Sequence, residues 1–200
     1  MTEGSPVLRR GLIVYDVPSD HPKMAYRLRN ALALSGTALR VNLSAYLFPW
    51  GRKHEIDAAV KEVMDTTAGS AHVCSILQDE ASGEELDAMV YRAANEMLAE
   101  LRESVVVRVA AVEALVEKAI DDGTVDVNDK DRTIYRRRQI IVNDVARRAK
   151  ALKSACIIFT LTGNVMSAIE ALEEAVNVES AALKAMKDAG VLEKAVETAK

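Results

Sequence analysis

Every proline of this chain lies within its first 49 residues, at positions 6, 18, 22 and 49, and the 151 residues that follow contain none. Proline lacks an N–H and clashes with the preceding turn, so it rarely survives inside a helix. The front of the chain must therefore turn often, while the rear is free to form long helices. Residues 12–16 (LIVYD) predict a short buried strand that ends on a carboxylate turn. Asp20 is suited to cap a helix whose first turn holds Pro22, and Met24, Leu28, Ala31 and Leu32 recur at helical spacing.

The segment ALRVNLSAYLFP alternates apolar and polar side chains over ten residues and predicts one continuous strand. In that reading Leu39, Val41, Leu43, Ala45 and Leu47 point one way, and Arg40, Asn42, Ser44, Tyr46 and Phe48 the other. Ile56, Ala59, Val60, Val63 and Met64 mark a second amphipathic helix, and Ala71–Leu77 a third strand. The expected fold class is α+β: a ferredoxin-like split βαβ domain over residues 1–80, then a long antiparallel helical hairpin or bundle over 81–200. With both helices on one face, the other face of the sheet is expected to be bare. Tyr46 and Phe48 are placed there as a homodimer interface.

Residues 84–121 contain neither Gly nor Pro, and apolar residues from Leu86 to Ile120 recur at three- and four-residue steps. One helix of that length is about 57 Å long. The turn-rich DDGTVDVNDKD reverses the chain. A second long helix begins near Arg132 and runs at least to Leu152. It continues toward Val176 unless the β-branched ACIIFTLT (155–162) forms a strand or the helix breaks near Gly163. Shorter helical pieces are expected to close the chain.

The net charge of −4 conceals an uneven distribution. Residues 78–131 carry five basic and fifteen acidic groups, and residues 132–153 carry eight basic and one acidic. Arg136, Arg137, Arg138, Arg147, Arg148, Lys150 and Lys153 suit a phosphate-tracking surface on DNA or RNA. The same residues also suit pairing with Glu96, Glu100, Glu103, Glu113 and Glu117 on the preceding helix, which would set the register of the hairpin. Tyr135 is the only aromatic residue inside the basic run, so stacking on single-stranded bases is not expected.

Asp16 and Asp20 flank the end of the first strand. A carboxylate there is either part of the turn or a Mg²⁺ ligand for phosphodiester hydrolysis, with Asp16 as the catalytic residue. His21, His54 and His72 are scattered, and DDGTVDVNDKD lacks the order of a calcium loop. No phosphate-binding loop, dinucleotide fingerprint, nucleophile elbow or zinc-protease motif occurs. Cys74 and Cys156 sit in apolar runs, as small core residues do in a reducing compartment. No cofactor is expected, apart from Mg²⁺ if the chain is a nuclease. With no signal-like start and no apolar run long enough to span a bilayer, a cytoplasmic location without membrane contact is expected.

LIVYDVPSD, the helix with Arg27 and Arg29, and the strand LSAYLFP together resemble the start of the Cas2 family of CRISPR adaptation proteins. They also resemble the N-terminal domain of ChrB-type chromate-resistance regulators, through Ala45-Tyr46-Leu47-Phe48-Pro49. The resemblance covers about 70 residues. It implies a dimer-forming ferredoxin-like fold associated with nucleic-acid biology, and in Cas2 the position of Asp16 is the proposed metal ligand. The expectation is a non-enzymatic, dimeric regulatory or scaffolding protein that binds nucleic acid through its basic helix. A Mg²⁺-dependent nuclease using Asp16, and a structural helical assembly protein whose hairpin binds another protein or itself, are the alternatives.

Overall fold

A computed structural model of the chain describes residues 9–18, 20, 22–64, 70–76 and 80–191. The fold is α+β, a small antiparallel sheet followed by helices. In chain order the elements are β1 (Arg10–Asp16), α1 (Pro22–Leu34), β2 (Leu39–Asn42), β3 (Ala45–Pro49), a 3₁₀ turn (Trp50–Arg52), α2 (Lys53–Met64) and β4 (Ser70–Ile76). Then come α3 (Glu80–Glu103), a π-helical turn (Ser104–Arg108), α4 (Val112–Asp121), α5 (Lys130–Ile158) and α6 (Asn164–Asp188). The sheet order is β2-β3-β1-β4, and every pairing is antiparallel.

The continuous strand expected over residues 39–48 is instead a hairpin. Leu39 pairs with Leu47 and Arg40 with Tyr46, with a register shift between Arg40 and Asn42. Leu43 and Ser44 form the turn. Asn42 Oδ1 accepts the Ser44 N–H at 2.9 Å, a local side-chain turn that needs no glycine. β1 holds the turn from the other side. The Tyr15 hydroxyl donates to the Leu43 carbonyl at 2.8 Å, and the Tyr15 N–H to the Ser44 carbonyl at 3.0 Å.

The expectation that Tyr46 and Phe48 lie on a bare face is also corrected. They are 1% and 0% exposed, in one cluster with Ile13, Tyr15, Leu28, Leu32 and Ile56. Theirs is the face that α1 and α2 cover. Tyr46 stacks on Tyr15, with ring centroids 6.4 Å apart, and its hydroxyl donates to the Arg29 carbonyl at 3.3 Å. Burying two whole aromatic rings contributes several kcal/mol to the core. Phe48 lies directly opposite Gly11 in β1, and a Cβ built there would come 2.2 Å from its ring. The missing side chain at position 11 is what lets the ring lie across β1.

The opposite face is not bare. Arg10 is 7% exposed and pairs with Asp87 of α3, and the Arg40 N–H donates to Met97 Sδ at 3.5 Å. Leu39 and Leu47 on that side are fully buried, while Val14 and Leu43 remain exposed.

By contacts the chain divides into two compact units, Met1–Leu98 with Lys150–Ser167, and Ala99–Ala149 with Ala168–Lys200. The helical takeover near residue 80 is therefore a change of element type, whereas the contact division passes through α3, α5 and α6. In the first unit, Gly36 (φ +68) ends α1, and a Cβ there would lie 3.2 Å from Ser154 Oγ of α5.

The helix expected over 84–121 is present but widens at Ser104–Arg108 and turns at Ala111. Leu101, Val105 and Val109 follow at four-residue steps, which overshoot a 3.6-residue turn. The wider π turn keeps all three buried. The reversal falls in the predicted loop. Gly123 (φ +70) donates to the Ile120 carbonyl at 2.9 Å and Thr124 to that of Ala119 at 2.9 Å, closing α4. Val112, Val116 and Ile134 then form the core between α4 and α5.

Residues 155–158 are helix, not strand. α5 ends with the same pair of bonds, Thr160 N–H to Ile157 O at 3.0 Å and Leu161 N–H to Cys156 O at 2.8 Å. Here the left-handed position is occupied by a threonine, Thr160 at φ +58, although a β-branched residue is strained in that conformation. Buried Leu161 anchors the corner, and Gly163 completes the break. A single helix, α6, follows where shorter pieces were expected, and the tail from residue 192 lies outside the described residues.

Candidate nucleic-acid interface

The basic run lies wholly on α5, and the helix sorts it into two groups. Arg138 turns inward. Its guanidinium is 2.7 Å from Glu179 of α6 and 3.8 Å from Glu113 of α4, with 19% of the side chain exposed. Lys130 meets Glu117 at 3.0 Å. Helix-to-helix charge pairing therefore exists between α4 and α5 in the antiparallel sense, 117 with 130 and 113 with 138. Glu179 completes the Arg138 site from 41 residues further along the chain, outside the acidic stretch 78–131 that marks the other partners in the sequence.

Arg136 and Arg137 turn outward. Both are exposed, and neither makes a hydrogen bond or ion pair with another described residue. Ile140, Asn143 and Arg147 follow Arg136 at steps of four, three and four, which places all four side chains on one side of α5. Ile140 is 69% exposed in the middle of this strip. Asp144 is the only acid in the run. It holds Arg148 Nε at 2.9 Å and Arg147 at 3.4 Å, and so takes up part of their charge. Lys150 is exposed and Lys153 half-buried. Tyr135 is 7% exposed, and its hydroxyl accepts from Gln139 at 3.2 Å, so it offers no stacking surface.

The other predicted residues stand apart from this strip. Asp16 ends β1 opposite Ser70, exposed, and Asp20 is exposed in the turn before α1. Among the described residues, no three His, Cys, Asp or Glu side chains gather closely enough to hold a metal ion. His54 is exposed on α2 and His72 on β4; His21 lies outside the described residues. Cys156 is fully buried, and burial pushes its thiol up to about 11.

The second unit, which holds Arg138, also carries an open groove of roughly 590 Å³ that no sequence pattern had marked. Val105, Val106, Val109 and Ala110 line one wall and Ala175 and Val178 the other, with Glu113, Arg138 and Glu179 at its polar end. Val106 and Val178 are 67% and 59% exposed on its rim. The Val105-Val106-Val107 run was the available signal, since three consecutive valines on a helix cannot all face the core.

Among the described residues no helix is long and apolar enough to cross a membrane. No protein-family model, curated protein or solved structure matches the chain.

Proposed function

We propose that this chain is a non-enzymatic regulatory or scaffolding protein that contacts the phosphates of DNA or RNA through the outward arginines of α5. The observation that carries this reading is the exposure of Arg136 and Arg137, neither of which meets an acidic partner among the described residues, with Arg136 aligned with Arg147 along one side of α5. Guanidinium groups held this way suit phosphate oxygens, and contacts confined to phosphates are independent of base sequence. In the same reading the front unit is a ferredoxin-like split βαβ domain. Its support is the strand order β2-β3-β1-β4, with α1 and α2 as the two crossovers. The likeness to Cas2 and ChrB-type domains rests on LIVYDVPSD, the helix with Arg27 and Arg29, and LSAYLFP.

The test is fluorescence anisotropy with a labelled duplex and a labelled single strand, titrated with salt. Each phosphate neutralised on duplex DNA adds about 0.9 to the slope of log K against log salt. Replacing Arg136 and Arg137 with Gln should reduce that slope by about 1.8 and leave thermal stability unchanged. Absence of binding at low salt, or an unaltered slope in the variant, overturns the proposal.

A further inference from the structure

The valine groove and the α5 strip complement one another in chemistry and lie on opposite sides of the same helix. Arg138, at the polar end of the groove, follows Arg136 by two residues and so sits about 200° round α5 from it. The groove offers apolar walls with exposed rims at Val106 and Val178. Its polar end is acidic, since Glu113 and Glu179 outnumber the one Arg138 there and Glu113 remains 65% exposed; further along the walls exposed Glu103 and Glu174 are matched by exposed Arg102 and Arg108. The strip presents the reverse. A single exposed isoleucine, Ile140, is flanked by Arg136 and Arg137 one turn before it and by Arg147 two turns after.

We infer that a second copy of this chain docks here, with Ile140 seated between Val106 and Val178 and its flanking arginines facing the carboxylates around the groove. Seating Ile140 removes three exposed apolar side chains from water at once, and opposite charges on the rim set the orientation. Because strip and groove lie on opposite sides of α5, each copy gives one surface and receives on the other. The contact is head-to-tail and builds a ring or an extending chain. The inference goes beyond the nucleic-acid reading and stands without it. If both hold, a polyanion and a second copy compete for one strip.

Two variants separate the two halves of the contact. Ile140→Asp disables the knob and Val178→Asp disables the groove. Both positions are more than half exposed, so both proteins should fold, as circular dichroism and melting would verify. Sedimentation velocity from about 10 µM to about 1 mM covers the affinity expected of a small contact. The wild-type mass should climb with concentration, and each variant should fall to a common smaller species. Mixing the variants in equal amounts should raise the mass again, because the intact groove of one can take the intact Ile140 of the other, but growth stops after one such joint. A wild-type mass that does not change with concentration overturns the inference, as does wild-type assembly by either variant or a mixture that stays at the smaller species.

Discussion

Replacing Gly11 with alanine isolates the packing that organises the sheet, because two effects of opposite sign compete there. Gly11 has ordinary strand geometry, so relief of backbone entropy alone would make alanine stabilising by about 0.4–1 kcal/mol. Packing opposes this. The new Cβ would lie 2.2, 2.4 and 2.7 Å from three ring carbons of Phe48, whereas ordinary contact begins at 3.4 Å. The ring must withdraw by at least 1.2 Å, the difference between 3.4 and 2.2 Å. It has little room. Phe48 is fully buried, and its other neighbour is Trp50, stacked at 6.3 Å with planes inclined by 20°. Overpacking of this kind costs about 1–3 kcal/mol, so the clash wins, and Gly11→Ala should destabilise by about 2 kcal/mol. Trp50 is the only tryptophan of the chain and reports on this location directly. In a urea titration followed by its fluorescence, the midpoint should fall by about 1–2 M at a slope of 1–2 kcal/mol per M. The second arm is a double-mutant cycle. Phe48→Leu alone loses core contacts, but combined with Gly11→Ala it makes room for the new methyl, so the two costs should fall short of their sum by about 1 kcal/mol or more. A neutral or stabilising Gly11→Ala, or strict additivity, would refute the reasoning.

Three further outcomes follow from the structure. Thr160→Gly should stabilise by about 1 kcal/mol in a thermal melt, since glycine accepts the left-handed conformation that threonine holds under strain; equal or lower stability would mean that Thr160 is not strained. Arg138→Met should cost about 2 kcal/mol by chemical denaturation, because it strands Glu179, which is only 24% exposed beside it; Arg137→Met, one residue earlier and outward, should cost almost nothing. The buried Cys156 thiol is raised from 9.0 to about 11. The unfolded chain therefore ionises first, and the stability contributed by the protonated thiol, complete below pH 9, is lost between pH 9 and 11, by up to about 3 kcal/mol. Cys156→Ala should remove that part of the alkaline decline, leaving the smaller one from Tyr15, whose hydroxyl is also raised by burial.

The sequence made the order of elements legible wherever a breaker residue or a clear period marked a boundary. Pro18, Pro22 and Gly36 bound β1 and α1, Gly123 marks the reversal, and Gly163 the α5–α6 corner. The hairpin between β2 and β3 was hidden because its turn uses Leu43 and Ser44, which keep the apolar/polar alternation going, and because Asn42 supplies the turn through its side chain. Parity placed Tyr46 and Phe48 together correctly, yet it could not say which face the helices would cover. Both faces of β3 are apolar and both are buried, one under α1 and α2 and the other on the side that α3 reaches at Arg10 and Arg40. The basic run was legible as a surface only in part. Helical spacing separates Arg136 and Arg147 from Arg138, but the inward role of Arg138 depends on Glu179, a residue 41 positions away. The groove depends likewise on α6 approaching the π-helical turn, which no local pattern encodes.

The two-stretch make-up of the first unit bears on how the polypeptide is born. Its sheet and first helices are synthesised early, but the segment that meets Gly36, around Ser154, emerges more than a hundred residues later. A ribosome releasing this protein thus exposes an incomplete head for most of translation, and loops of that span close slowly. Fragments ending near residue 98 should show the same defect at equilibrium, with the surface that Ser154 normally shields left open to solvent and to chaperones.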